Sequence, residues 1–220
     1  LGNEVRQFEN RFSKYLGLKY SVGVSNGTDA LILSLKAVNI KKGDEVITTS
    51  HTAYATIAAI VEAGAKPVFV DIKEDDFNMN SAELKKKITK KTRAIIIVHL
   101  YGNPADIVEI SKVAKKNKVY LIEDCSQAHG AEFNKKKVGT FGDLSCFSFY
   151  PTKNLSTFGD AGIVCTKNKK MFKKIKFFRE YGWKKKNIGV SEGYNKRLDE
   201  LHAGILNVKL DNIDKFNKKR

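Results

Sequence analysis

Residues 147–162 read FSFYPTKNLSTFGDAG, and the fold turns on that stretch. The apolar, aromatic run at its start (Phe147 and Phe149, with Cys146 just before) has the character of a strand buried in a core. Pro151 ends the strand, because a proline lacks the N–H that the ladder needs and forces a turn. Two residues on, Lys153 is delivered to the strand end with its amine leaving a mostly apolar neighbourhood. An amine so placed is a candidate nucleophile or Schiff-base former. The plain alternative is a solvated lysine in a lysine-rich chain. Gly159-Asp160-Ala161-Gly162 then turns into a second short buried strand, residues 163–165.

Working outward, residues 93–100 contain the continuous apolar run AIIIVHL, the pattern of a strand covered on both faces. Residues 119–123 form the next buried strand and end in Glu123-Asp124. A carboxylate at the C-terminal end of a buried parallel strand is where doubly wound sheets put site residues. Gln127 and His129 follow at once; a lone His beside Gly is more often a packing or capping residue than a ligand. Further strands are expected at residues 20–24, 45–48, 66–70 and 144–149, with a hairpin-like excursion over 135–140. Apolar spacing places helices at 4–16, 51–63, 82–88, 106–116 and 171–181. A single long helix is expected over 197–216, with Leu198, Leu201, Ile205, Val208 and Ile213 on one face. Alternating strands and helices, with no internal repeat, predict one α/β domain with a largely parallel sheet.

After the first strand comes Ser25-Asn26-Gly27-Thr28-Asp29-Ala30 and then a strong helix. Strand, small-residue turn and helix start form a layout for holding a phosphate on free backbone N–H groups at the positive helix end. Plain capping by Asn26 or Thr28 explains the same residues. The turn is not the Gly-rich fingerprint of a nucleotide-binding oxidoreductase.

The formal charge of +16 over 220 residues raises nucleic acid as a partner. The lysines, however, are scattered in short runs (85–87, 135–137, 184–186) without aromatic interleaving or zinc-finger spacing. No nucleic-acid role is therefore expected, and the 184–186 run is either a solvated loop or a contact for a diphosphate-bearing small molecule. No segment has the length and apolarity of a membrane span, or a signal peptide's pattern. Cys125, Cys146 and Cys165 are widely spaced in apolar runs and read as buried hydrophobes of a reducing cytoplasm, without metal spacing. The chain opens without Met and ends in a helical pattern, so it is expected to be part of a longer protein.

A phosphate-type turn, a strand-end acid and a strand-end lysine can reach one pocket rim, a set that fits pyridoxal 5′-phosphate chemistry. The motifs SNGTDAL, PVFVDI, LIEDCSQAHGA, FSFYPTKNL, GDAGIV and GYNKRLDELHAGIL, in this order, resemble those of the DegT/DnrJ/StrS-type sugar aminotransferases. The resemblance covers nearly the whole chain. It implies the large domain of the fold-type-I pyridoxal-phosphate transferases, a largely parallel seven-stranded sheet flanked by helices over residues 1–220, lacking the extreme N-terminus and the small C-terminal domain. It makes Lys153 the Schiff-base lysine and Asp124 the partner of the pyridinium nitrogen. Gln127 would lie against the ring hydroxyl, and Gly27, Thr28 and Ser148 would hold the phosphate. Asn195 would reach the cofactor phosphate of a neighbouring subunit, which implies a homodimer with shared sites. Many relatives carry a ring-stacking aromatic where this chain has Ala53, so His51 or Tyr54 is expected to substitute. The implied activity is transfer of an amino group from glutamate to a keto group of a nucleotide-linked sugar, with a dTDP-3-keto-6-deoxyhexose favoured. A UDP-4-keto-sugar 4-aminotransferase and a non-catalytic regulator of the same fold are the alternatives. Relatives that dehydrate sugars have His in place of the lysine.

Overall fold

The computed structural model describes residues 1–185 and 187–219. The first half of the chain runs α1 (Asn3–Leu16), β1 (Tyr20–Val24), α2 (Gly27–Ala37), β2 (Glu45–Thr49), α3 (Tyr54–Glu62), β3 (Lys66–Val70), α4 (Ser81–Lys87) and β4 (Thr92–Val98). There follow α5 (Ile107–Asn117), β5 (Tyr120–Asp124), β6 (Glu132–Phe133), β7 (Lys136–Lys137), β8 (Leu144–Ser148) and β9 (Gly162–Thr166). The chain closes with α6 (Lys169–Arg179), β10 (Trp183–Lys185), β11 (Ile188–Gly189), α7 (Glu200–Leu210) and α8 (Ile213–Lys219). Seven strands form one sheet in the order β1-β9-β8-β5-β4-β2-β3. Pairs from β3 through β2, β4 and β5 to β8 are parallel, and only β9 runs against its neighbours β8 and β1. The expected seven-stranded, largely parallel sheet is what forms.

Period-two alternation shows why the central strands read as unbroken apolar runs. In β4, Ala94 and Ile96 pack under α2, α3 and α6, whereas Ile95 and Ile97 pack under α4 and α5. In β8, Cys146 joins the first of these layers, and Phe147 joins a third cluster beneath α1, α7 and α8. There the rings of Phe12 and Phe147 meet edge to face at 5.0 Å, and those of Phe8 and Phe149 at 5.2 Å, an arrangement aromatic quadrupoles favour. The aromatic start of the 147–162 stretch is thus the seat of α1. All three cysteines are buried, as expected.

Four local readings change. The long helix expected over 197–216 is two helices, and it starts later. Arg197 bridges Val24 at the end of β1, so the chain stays extended until Asp199. A turn at residues 211–212 then separates α7 from α8; Leu206, Leu210 and Ile213 keep helical spacing across it, which hides the break. The helix expected from His51 begins at Tyr54. The 135–140 excursion starts earlier, as the β6–β7 ribbon, turning through Asn134 and Lys135 at φ 50° and 61°, the pair of left-handed residues that a tight hairpin requires. In the Lys-rich loop, Lys184 and Lys185 belong to a small β10–β11 ribbon, while Lys186 lies outside the described residues. Among the described residues, no helix is long and apolar enough to cross a membrane.

Candidate active site

The ends of β4, β5 and β8 meet the start of α2 around a cavity of about 330 Å³. It opens beyond the carboxyl ends of the parallel strands, the side on which such sheets bind ligands. Gly27, Thr28, Asp124, Gln127, Ser148 and Lys153 all line it.

At one end lies the turn into α2. The Asn26 side chain caps the helix by accepting the Asp29 N–H at 2.8 Å. Gly27 and Thr28, the first residues of the helix, line the cavity with the free N–H groups of a helix start. Gly27 faces Ser148 closely: a Cβ there would lie 2.7 Å from the Ser148 Cβ. The strand end and the helix start therefore form a cradle that any side chain at position 27 would crowd, and the Asn26 cap leaves the cavity side of this turn open. We expect Gly27→Ala to weaken phosphate-dependent cofactor binding by about tenfold or more, as loss of donor geometry in a charge-assisted site does. Equilibrium titration with pyridoxal phosphate checks this.

At the cavity floor Asp124 is 4% exposed. Its carboxylate accepts the Ser126 N–H at 3.1 Å and the Thr56 hydroxyl at 3.2 Å. Thr56 is itself paired with the Thr52 hydroxyl at 2.9 Å. Gln127 accepts the Tyr101 N–H through Oε1 at 2.9 Å, leaving its amide NH₂ as the end that can donate. Lys153 is half-buried on the loop after β8. No ion pair engages its amine among the described residues.

Three residues of the sequence-derived set lie outside the lining. Tyr54 is 83% exposed. His51 packs near the rings of Phe77 and Tyr101, at 6.0 and 6.1 Å. Ala53 itself lines the cavity. Asn195 is exposed beside α6, where it bridges Glu180 and accepts the Arg197 Nε–H at 2.7 Å. His129 is buried and paired through Nδ1 with Asn154 at 2.7 Å; burial pushes its pKa down to about 4 despite that bond. It is a neutral packing residue next to Lys153.

The sequence does not tell Glu123 from Asp124, but strand alternation sends them to opposite faces. Glu123 is fully buried and accepts N–H groups from Gly139, Phe141 and Gly142 at 2.7, 2.8 and 2.7 Å, and His99 Nε2 at 3.1 Å. His99 Nδ1 accepts the Ala105 N–H at 3.1 Å. His99, Glu123 and Cys125 lie close enough to share a metal ion, yet the carboxylate and both ring nitrogens already have partners. The sequence reading also missed Thr52 and Thr56. Their spacing of four, at a helix start, was the available signal.

A family model for the DegT/DnrJ/EryC1/StrS aminotransferase family matches residues 1–220. The chain belongs to that family. It is 46% identical over 220 residues to a dTDP-3-amino-3,6-dideoxy-alpha-D-galactopyranose transaminase of Aneurinibacillus thermoaerophilus, covering 100% of this chain and 61% of that protein. It is 43% identical over 220 residues to a pleiotropic regulatory protein of Geobacillus stearothermophilus, covering 100% of this chain and 59% of that protein. The crystal structure of S. venezuelae DesV in complex with a ketimine intermediate superposes with a TM-score of 0.95 at 40% identity, over 98% of this chain and 58% of that one. The chain thus spans about 60% of the length of these relatives.

Proposed function

We propose that this chain is the cofactor-binding large domain of a pyridoxal-phosphate-dependent aminotransferase that carries an amino group from glutamate to a keto group of a nucleotide-linked deoxysugar. One observation carries the reading: an amine, a buried carboxylate and a helix-start cradle of N–H groups share one cavity. The residues fit the cofactor, whose ring, when bound, acts as a sink for the electrons released as the substrate carbon loses its proton.

Each residue then has a task. Gly27, Thr28 and Ser148 hold the phosphate. Asp124, fixed by Thr56 and the Ser126 N–H, holds the proton on the ring nitrogen. The Gln127 amide donates to the ring hydroxyl. Lys153 Nζ would anchor the cofactor and would take the proton from the donor's α-carbon. With Ala53 on the cavity wall, aliphatic contact replaces aromatic stacking at that position. Asn195, exposed and outside its own chain's cavity, suits a reach to the cofactor phosphate of a second subunit, so the working unit is a homodimer. The Aneurinibacillus relative's substrate class favours a dTDP-linked 3-keto-6-deoxyhexose.

The test is spectroscopic first. The purified full-length protein should be yellow with added pyridoxal phosphate, and borohydride should abolish the visible band while fixing the cofactor to Lys153, as peptide mapping would show. A panel of keto-sugar nucleotides with glutamate then identifies the acceptor. A colourless protein that transfers no amino group to any of them would favour the regulatory role in which the Geobacillus relative is named.

A further inference from the structure

Behind the phosphate cradle, outside the cavity lining, a second layer of charge is built. Asp29 sits in the first turn of α2 and is 8% exposed. Its Oδ2 accepts the Ser25 hydroxyl and, at 3.1 Å, the Asn26 side-chain NH₂. Its backbone N–H donates to Asn26 Oδ1. Asp29 therefore sets the shape of the turn whose N–H groups face the cavity. Shape alone carries an electrostatic penalty, since a carboxylate at the helix start opposes the partial positive charge that a phosphate needs there.

Lys196 answers it. The lysine comes from the GYNKR segment, 167 residues away in sequence, and its Nζ pairs with Asp29 Oδ1. Both side chains are largely buried, at 15% and 12% exposure. The lysine's backbone is fixed on both sides: its N–H donates to the Arg179 carbonyl at 3.2 Å, Asn195 bridges Glu180 and Arg197 bridges Val24. Its ammonium lies 5.3 Å from the centre of the Tyr194 ring, a further favourable contact for a cation.

We propose that Lys196 is a positioning residue for the cofactor phosphate: it neutralises Asp29, so that Asp29 can brace the Ser25–Asn26 turn without repelling a phosphate held by Gly27 and Thr28. The proposal rests on the cavity being a pyridoxal phosphate site, and its test separates the two. Titrations of the full-length protein compare pyridoxal phosphate, pyridoxal and inorganic phosphate as probes. Lys196→Met keeps the aliphatic stem and removes the charge. It should raise the dissociation constants of pyridoxal phosphate and of inorganic phosphate by about tenfold or more, the scale of unpairing a largely buried charge, and leave that of pyridoxal unchanged. Lys196→Arg should restore the wild-type values. In an Asp29→Asn background, Lys196→Met should have little effect, because no charge is left to neutralise. That double variant also serves if the single one folds poorly.

Equal losses for pyridoxal and its phosphate, or an undiminished loss in the Asp29→Asn background, would overturn the proposal, as would no loss at all. Should wild-type protein bind inorganic phosphate but form no coloured complex, the aminotransferase reading fails while the phosphate series still decides the role of Lys196.

Discussion

On the proposed reading one side chain would both anchor the cofactor and move the proton, so replacing Lys153 with alanine should reduce amino transfer by about 10⁴-fold or more. Both half-reactions should then fall together, because both would use the same Nζ. The fold should survive, with stability changed by no more than about 1 kcal/mol: the side chain is half-buried and tied by no ion pair among the described residues. A denaturation curve matching wild type, measured beside the lost activity, therefore assigns the loss to chemistry. Lys153→Arg provides the sharper comparison. It keeps a positive charge on the cavity but offers a guanidinium that stays protonated, so it should be as inactive as the alanine variant. Wild-type turnover in either variant would mean that the reaction runs on another group.

The same lysine shows how far the sequence could be read. Its place at a strand end follows from an aromatic run halted by Pro151, and β8 ends at Ser148, just ahead of that proline. The strands were legible because a sheet covered on both faces leaves no polar positions to blur the pattern, as in residues 94–98. The division of α7 from α8 was not legible, because apolar spacing continues through the turn that separates them. Nor was the late start of α7, which depends on a bridge between Arg197 and Val24, a contact distant in sequence.

Around the cavity, the residues legible in the sequence were those whose chemistry is unusual at their position: an acid, a lysine, and a Gly-Thr pair opening a helix. Thr56 and Thr52 were not, because two threonines spaced by four at a helix start are too common a pattern to single out; their role depends on an acid that only the fold brings within reach. The pair Lys196–Asp29 was hidden for the same reason. His51 and Tyr54 were candidates because they flank Ala53, where many relatives carry the stacking aromatic. The helix begins only at Tyr54, which leaves Ala53 on the cavity wall and Tyr54 in solvent.

Glu123 yields the largest effect expected on stability. Burial alone would raise its pKa, but the His99 N–H and the backbone N–H groups of Gly142 and Gly139 outweigh burial and hold it below the ordinary carboxylate value. Glu123→Ala would leave those donors and the Phe141 N–H facing an apolar hole. The cost should be about 3–5 kcal/mol, as for other buried charged groups stripped of a partner. Glu123→Gln should cost less, since one oxygen remains, yet its NH₂ must face backbone N–H groups. Urea unfolding of the three proteins measures both values.

The pH dependence gives a second, independent reading of the same group. A carboxylate whose pKa is depressed in the folded state contributes stability that is complete above its unfolded value, roughly 4.3, and is lost as pH falls through the folded value. Wild type should therefore lose stability more steeply than Glu123→Gln as the pH is lowered from about 5. Parallel curves would mean that Glu123 is not held as a carboxylate. The consequence reaches the active site along the backbone. Glu123 clamps the Gly139–Gly142 loop to one face of β5, and the next residue, Asp124, faces the cavity on the other. Loosening the first should therefore loosen the placement of the second, and Glu123→Gln should weaken pyridoxal phosphate binding even at a pH where the variant is fully folded.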